Sequence, residues 1–244
     1  MINTAKRIVK KILGMELSPK EVFLSYRLQQ ITQRRLEHLA SLGLNIARST
    51  VLEVGTGIGD HTSFFLDRGC QVVSTEARKE NLEILRSRYP SIEARYLNLD
   101  HPDTTLNESF DIVYCYGVLY HLEKPAEAIK FMSEHCRKML LLETCVSFGD
   151  GELLNPSWES PENPVHSISG HCCSPTRKWV YHQLREHFNS VYIPITQPNH
   201  EEFPTDWNSP PRTKSLSRSI FIASRQILTN PLLIEDIPMR QSRH

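Results

Sequence analysis

The run Glu53-Val54-Gly55-Thr56-Gly57-Ile58-Gly59-Asp60 sets three glycines two residues apart behind an acid. Glycine adopts positive φ freely and, lacking Cβ, lets the backbone come close to a ligand. A helix starting just after such a run offers it unpaired N–H groups. A dinucleotide loop needs G-x-G-x-x-G, whose last position is here Asp60, and a phosphate loop needs a lysine that does not follow. Further acids, Glu76, Asp100 and Glu143, stand at or just after the ends of apolar runs. A carboxylate at a strand end is placed to accept both hydroxyls of a ribose. His121 brings an imidazole that ordinarily titrates near neutral pH, which suits a general base. Tyr116 and Tyr120 precede it, and aromatic faces suit a positive charge.

These residues need elements that bring them together. Thr50–Val54 is an apolar, β-rich run into the glycines, and the amphipathic stretch 61–68 follows, predicting strand, tight loop and helix. Gln71–Glu76 reads as a second strand, and 77–89 as a helix stopped by Pro90. Glu93–Leu97 and Phe110–Gly117 read as a third strand and a fourth with its exit. A helix follows Pro125, and Met139–Glu143 reads as the fifth strand. Val191–Thr196 and Ser219–Ser224 read as two final strands. Upstream, Ser18-Pro19-Lys20-Glu21 forms a capping box with proline at the first helical position. One helix is expected from there to Gly43, with Leu24, Leu28, Ile31, Leu39 and Leu42 on one face. Arg35 falls inside that stripe, either snorkelling at its rim or reaching an anionic group from a lid over the ligand cleft. Residues 2–13 are basic and amphipathic, either packing on their own domain or lying on a membrane surface.

The glycine run, together with Phe110-Asp111-Ile112-Val113, then Leu119-Tyr120-His121-Leu122 and Pro125, resembles the class I S-adenosylmethionine (SAM)-dependent methyltransferases. The resemblance implies an α/β, Rossmann-like sheet of seven mostly parallel strands with helices on both faces and one antiparallel strand near an edge. It implies a helical lid over 1–48, the methyltransferase domain over 49–228 and a tail at 229–244. Its cofactor would be SAM, with S-adenosylhomocysteine (SAH) as product. Gly55, Thr56, Gly57 and Gly59 would wrap the amino-acid part of SAM, and Glu53 would hold the ammonium. Glu76 would take the ribose hydroxyls, Ala77 and Leu99 would flank the adenine, and Asp100 would face its amino group. Tyr116 and Gly117 would line the methyl-bearing end. Tyr120, His121 and Glu143 are the catalytic candidates. In the family the histidine at the His121 position is often structural, so both roles stand.

Residues 148–175, rich in Gly, Pro, Ser, Asn and His, are too polar and too long for a plain connection, and the long connection 197–218 carries Phe203, Trp207 and several prolines. They are expected to build the acceptor pocket, with Trp158, His166, Ser169, His171 and Trp207 as its residues, because Trp faces suit sugar rings. Adjacent Cys172 and Cys173 cannot readily ligate one ion together, so no metal is expected. The six cysteines form no disulfide framework, and no signal peptide or membrane span is evident, which predicts a reduced, cytoplasmic protein. Lys+Arg and Asp+Glu both total 28, which counts against a dedicated nucleic-acid binder. The expected activity is methyl transfer to a small or glycan-like acceptor, at oxygen. An RNA-modifying enzyme is the alternative, since residues 1–48 carry nine Lys/Arg against three Asp/Glu. A SAM-binding protein with another activity, or none, is the third reading.

Overall fold

The structure, a computed structural model, describes residues 17–102, 106–210 and 216–244. The basic stretch 2–13 and part of the 197–218 loop lie outside the described residues.

Five parallel strands carry the fold: β1 (Thr50–Val54), β2 (Gln71–Glu76), β3 (Glu93–Tyr96), β4 (Phe110–Tyr116) and β5 (Cys136–Cys145). Two short strands, β6 (Pro156–Trp158) and β7 (His171–Cys173), form a hairpin inside the insert that follows β5. β8 (Ser190–Pro194), β9 (Thr196–Gln197), β10 (Arg218–Ser224), β11 (Leu233–Ile234) and β12 (Ser242–Arg243) complete the set. The main sheet runs β11-β8-β10-β5-β4-β1-β2-β3. β10 lies antiparallel between β5 and β8, as the resemblance implies. The chain moves outward from β1 to β3 and then resumes on the other side of β1 with β4. That reversal opens a crevice at the carboxyl ends of the central strands.

Alternation along each strand builds two cores. Leu52 and Val54 of β1, with Val113 and Cys115 of β4, face one layer. That layer holds α5 (Pro125–Glu134) and α6 (Arg177–Arg185). Val51, Ile112 and Tyr114 face the other, against α2 (Tyr26–Ser41) and α3 (Thr62–Leu66). α4 (Lys79–Arg88) connects β2 to β3.

The structure departs from the sequence reading in three places. The expected N-terminal helix is broken: α1 (Pro19–Phe23) starts at the predicted Ser18–Glu21 capping box, ends at Leu24, and α2 restarts behind Ser25. The break swings Phe23 over the glycine loop. α2 is also more than a lid, because Ile31 and Leu39 are core residues. Finally, the apparently patternless tail adds an eighth strand to the expected seven: β11 pairs with β8 and covers its edge.

Candidate active site

β1 delivers the glycine loop. Gly55 and Gly57 both have φ of 60°. A Cβ on Gly55 would lie 2.4 Å from Val118, and one on Gly57 would lie 2.6 Å from the Phe23 ring, so only glycine permits the loop to be this closely enclosed. Gly59 too has positive φ, at 84°. The Thr56 hydroxyl is shared between the carbonyls of Glu53 and Thr75, pinning the loop to β2.

Two acids meet this loop in different ways. Glu76 accepts from Gly57 N at 2.7 Å with one oxygen, and from Ala77 N (2.9 Å) and Arg78 N (2.8 Å) with the other. The carboxylate is thus aimed before any ligand arrives. Glu53 is 2% exposed and receives the hydroxyls of Thr62 (2.8 Å) and Ser74 (2.9 Å) on one oxygen. Burial pushes its carboxyl up to about 7, since the two hydroxyls offset only part of the desolvation.

Leu97, Asn98, Leu99 and Asp100, after β3, form the next wall of the cleft, with Ala77 beside them. Asp100 spends one oxygen on the amides of Glu123 and Lys124, both at 2.9 Å, fixing the turn into α5. Arg78 and Asn81 strap the insert across this end. Arg78 donates to the carbonyls of Pro161, His166 and Ser167, and Asn81 donates to that of Pro164.

The exit of β4 supplies Tyr116, Gly117 and a short 3-10 turn over Leu119–His121. Among the described residues the buried Tyr116 hydroxyl has no hydrogen-bond partner. The Tyr120 and His121 rings lie 3.8 Å apart. His121 Nδ1 is 2.5 Å from Glu159 Oε2, which also accepts from Ser167 N at 3.0 Å. Desolvation holds His121 below its ordinary range despite Glu159, and the hydrogen bond from His121 holds Glu159 low despite burial. The stable pair is therefore a neutral imidazole on an anionic carboxylate. Nδ1 carries the proton toward Glu159, leaving the Nε2 lone pair as the basic atom.

Behind the cleft runs a chain of alternating charges from α2 to β10. Arg35 Nη2 meets Glu143 Oε2 at 2.7 Å, and Arg218 Nη1 meets Glu143 Oε1 at 3.1 Å. Arg218 Nε meets Glu202 Oε2 at 2.7 Å, and Arg27 pairs with the other oxygen of Glu202. Arg218 also donates to the Tyr120 hydroxyl at 3.4 Å.

One cleft therefore collects Glu53, Gly55, Thr56, Gly57, Glu76, Ala77, Leu99, Asp100, Tyr116, Gly117, Tyr120, His121, His166 and Arg35. Arg35 does not snorkel: it is 8% exposed and tied to Glu143. Glu143, expected to bind the acceptor, does not line the cleft. β5 continues to Cys145, so Glu143 lies inside the sheet, in register with Tyr116 and Ile220, and is fully buried between two arginines. Trp158, Ser169 and His171 do not line the cleft either. Trp158 folds over Gly170 on the outer hairpin, edge-on to His171, and Ser169 accepts from His171 N there. Trp207 is core: it packs on Phe148, lies under Arg177 and bonds Gln241 of the tail. Sequence reasoning missed Glu159, Arg218, Glu202 and Arg27. Glu159 and Glu202 are charges in polar stretches and Arg218 opens a strand, with no local spacing to mark them, whereas Arg27 stands about two helical turns before Arg35 on α2, a spacing that could have marked it.

Residues 22–189 match the model of a family described as the methyltransferase domain. The chain belongs to this family. Among solved structures, the N-terminal domain of EvdMO1, crystallised in the presence of SAH and D-fucose, superposes with a TM-score of 0.61. It has 19% identity over 83% of this chain and 85% of that one. CalS10, an amino pentose methyltransferase from Micromonospora echinaspora, gives 0.52 with 16% identity over 81% and 91%. The glycopeptide N-methyltransferase MtfA gives 0.52 with 15% identity over 79% and 86%. At these identities the likeness is one of fold, that of the class I SAM-dependent methyltransferases. No curated protein matches the sequence. Among the described residues no helix is long and apolar enough to cross a membrane.

Proposed function

We propose that this methyltransferase moves the methyl group of SAM to a hydroxyl of a small, sugar-like acceptor and releases SAH. The observation that carries the reading is the His121–Glu159 pair, which sets a neutral, oriented imidazole in the same cleft as the glycine loop.

The residues fit the cofactor. Glu53 is a buried carboxylate whose desolvation an ammonium would offset. Glu76 is held at the end of β2 with three of its four lone-pair sites used by amides, which leaves the fourth, on Oε2, for a ribose hydroxyl. Ala77 and Leu99 would flank the adenine, and Asp100 would face its amino group. Gly55, Thr56, Gly57 and Gly117 line the cleft and allow backbone approach to the amino-acid part, whereas Gly59 does not line it and makes room for Leu85 and Tyr89. When bound, SAM supplies a methyl on a sulfonium, open to in-line displacement. Tyr116 and Tyr120 offer ring faces to positive charge at that end of the cleft. His121 Nε2 accepts the proton of the acceptor hydroxyl as oxygen attacks, and Glu159 stabilises the imidazolium that forms. α1 and α2, with the strapped insert, keep bulk water from the reacting groups.

The similar structures support a sugar-like acceptor: one was crystallised in the presence of D-fucose, one is an amino pentose methyltransferase and one a glycopeptide N-methyltransferase. The test is to incubate the protein with SAM and hydroxylated sugars and acids, following SAH by chromatography and the methylated product by mass. Equimolar SAH and O-methyl product are expected. Failure to bind SAM or SAH by calorimetry would overturn the reading.

A further inference from the structure

The insert meets the base through a single peptide unit. The carbonyl of His166 accepts from Arg78 Nη2 at 3.1 Å, and the N–H of Ser167, on the same peptide plane, donates to Glu159 Oε2 at 3.0 Å. That same carboxylate oxygen is 2.5 Å from His121 Nδ1. A trans peptide is planar and its C=O and N–H point in opposite directions, so a grip on the oxygen fixes where the N–H points. Arg78 therefore sets the donor that aims Glu159, and Glu159 aims the imidazole.

The grip extends beyond one carbonyl. Arg78 Nη2 also donates to the carbonyls of Pro161 (2.8 Å) and Ser167 (3.0 Å), so three carbonyls of the insert converge on one nitrogen. Hydrogen bonds with a charged donor are the strong ones, and a cation on a carbonyl polarises the N–H at the other end of its peptide. Ser167 is 3% exposed, so water has little access to compete there. The backbone of Arg78 is fixed as well, because its own N–H donates to Glu76 at 2.8 Å. One residue thus joins two carboxylates. Its amide helps to hold the acid given to the cofactor ribose, and its side chain reaches the acid that serves the base. Asn81 holds the same insert at Pro164 but does not touch the His166–Ser167 peptide.

We propose that Arg78 is a positioning residue for the general base, acting on His121 through the His166–Ser167 peptide and Glu159. The proposal rests on the role given to His121 above and deepens it. Arg78 contributes orientation and takes no part in proton transfer.

The test is an NMR titration of His121 in the full chain, with carbon-13 in the histidines and the His121 signal assigned by its absence in His121→Asn. Four proteins form a cycle: the unaltered chain, Arg78→Met, Glu159→Gln and the double variant. Tyr120, His166 and Arg218, which also lie around His121, are the same in all four. Glu159 favours the imidazolium, so a carboxylate that loses its aim lets the pKa of His121 fall. Arg78→Met should lower that pKa by at least about 0.5 where Glu159 is present, and change it by less than about 0.2 in the Glu159→Gln background. Loss of a nearby positive charge alone would instead raise the pKa, and equally in both backgrounds. An unchanged or raised pKa overturns the proposal, as does a fall of equal size in both backgrounds. Melting curves check the fold of each variant. Where Arg78→Met does not fold, Arg78→Lys, which keeps the charge and loses the planar fork, is read against the same outcomes. The cycle needs no turnover, so the two readings fail separately: a His121→Asn protein that keeps its full rate strikes the proposed function and leaves the Arg78 coupling readable.

Discussion

His121 and Glu159 are 38 residues apart in the chain, yet their side chains meet at 2.5 Å. The contact joins the exit of β4 to an insert that Arg78 and Asn81 hold down from the far side of the cleft.

Removing the imidazole tests this pair directly. His121→Asn is expected to lower kcat by about a hundred- to ten-thousand-fold, the usual worth of a general base. SAH affinity should stay unchanged, since the side chain acts on the acceptor. Steady-state rates and calorimetry separate the two effects.

The pH dependence follows from the same pair. The reactive form is neutral His121, so the rate rises as pH rises through its pKa. Desolvation places that pKa below 6.5, so activity should be level near neutrality and fall only at more acid pH. Glu159 favours the imidazolium, so Glu159→Gln should move the limb still further toward acid and lower kcat. A kcat/KM profile with its limb at or above 6.5 contradicts the assignment.

Glu76→Ala should weaken SAM binding by about 1–3 kcal/mol, the cost of losing a charged acceptor and leaving three loop amides unpaired. Isothermal titration measures it, and unchanged affinity removes Glu76 from the site.

Glu53 links cofactor binding to proton release. Its carboxyl sits near 7 in the protein alone, against 4.5 ordinarily, and an ammonium placed beside it favours the charged form. Binding should therefore release protons between those two values, and few at higher pH, where Glu53 is already ionised. Titrations in buffers of different ionisation enthalpy count the protons, and Glu53→Gln should abolish the release.

Glu143 is a matter of stability. Glu143→Ala strands Arg35 and Arg218 on a buried carboxylate site, with an expected cost of about 3–5 kcal/mol. Denaturant unfolding reads this out. Replacing Arg35 and Glu143 together by apolar residues of similar volume should cost less than Glu143→Ala alone.

The scaffold and the acids at its strand ends are legible in the chain. Strand alternation, the Ser18–Glu21 cap and the glycine spacing are local signals, so Glu53, Glu76 and Asp100 fell in place at neighbouring strand ends. The opposite wall of the cleft, with Arg27, Glu159 and Arg218, is set by long-range folding. Whether an insert residue faces the cleft depends on where its loop folds back, which no short-range pattern encodes. Trp158 and Trp207 looked apt by type, yet one lies on an outer hairpin and the other under the tail, because β6–β7 pairing and the Trp207–Gln241 bond direct them away. Glu159 carried no signal at all: a single carboxylate in a polar stretch acquires a role only when the fold sets an imidazole against it.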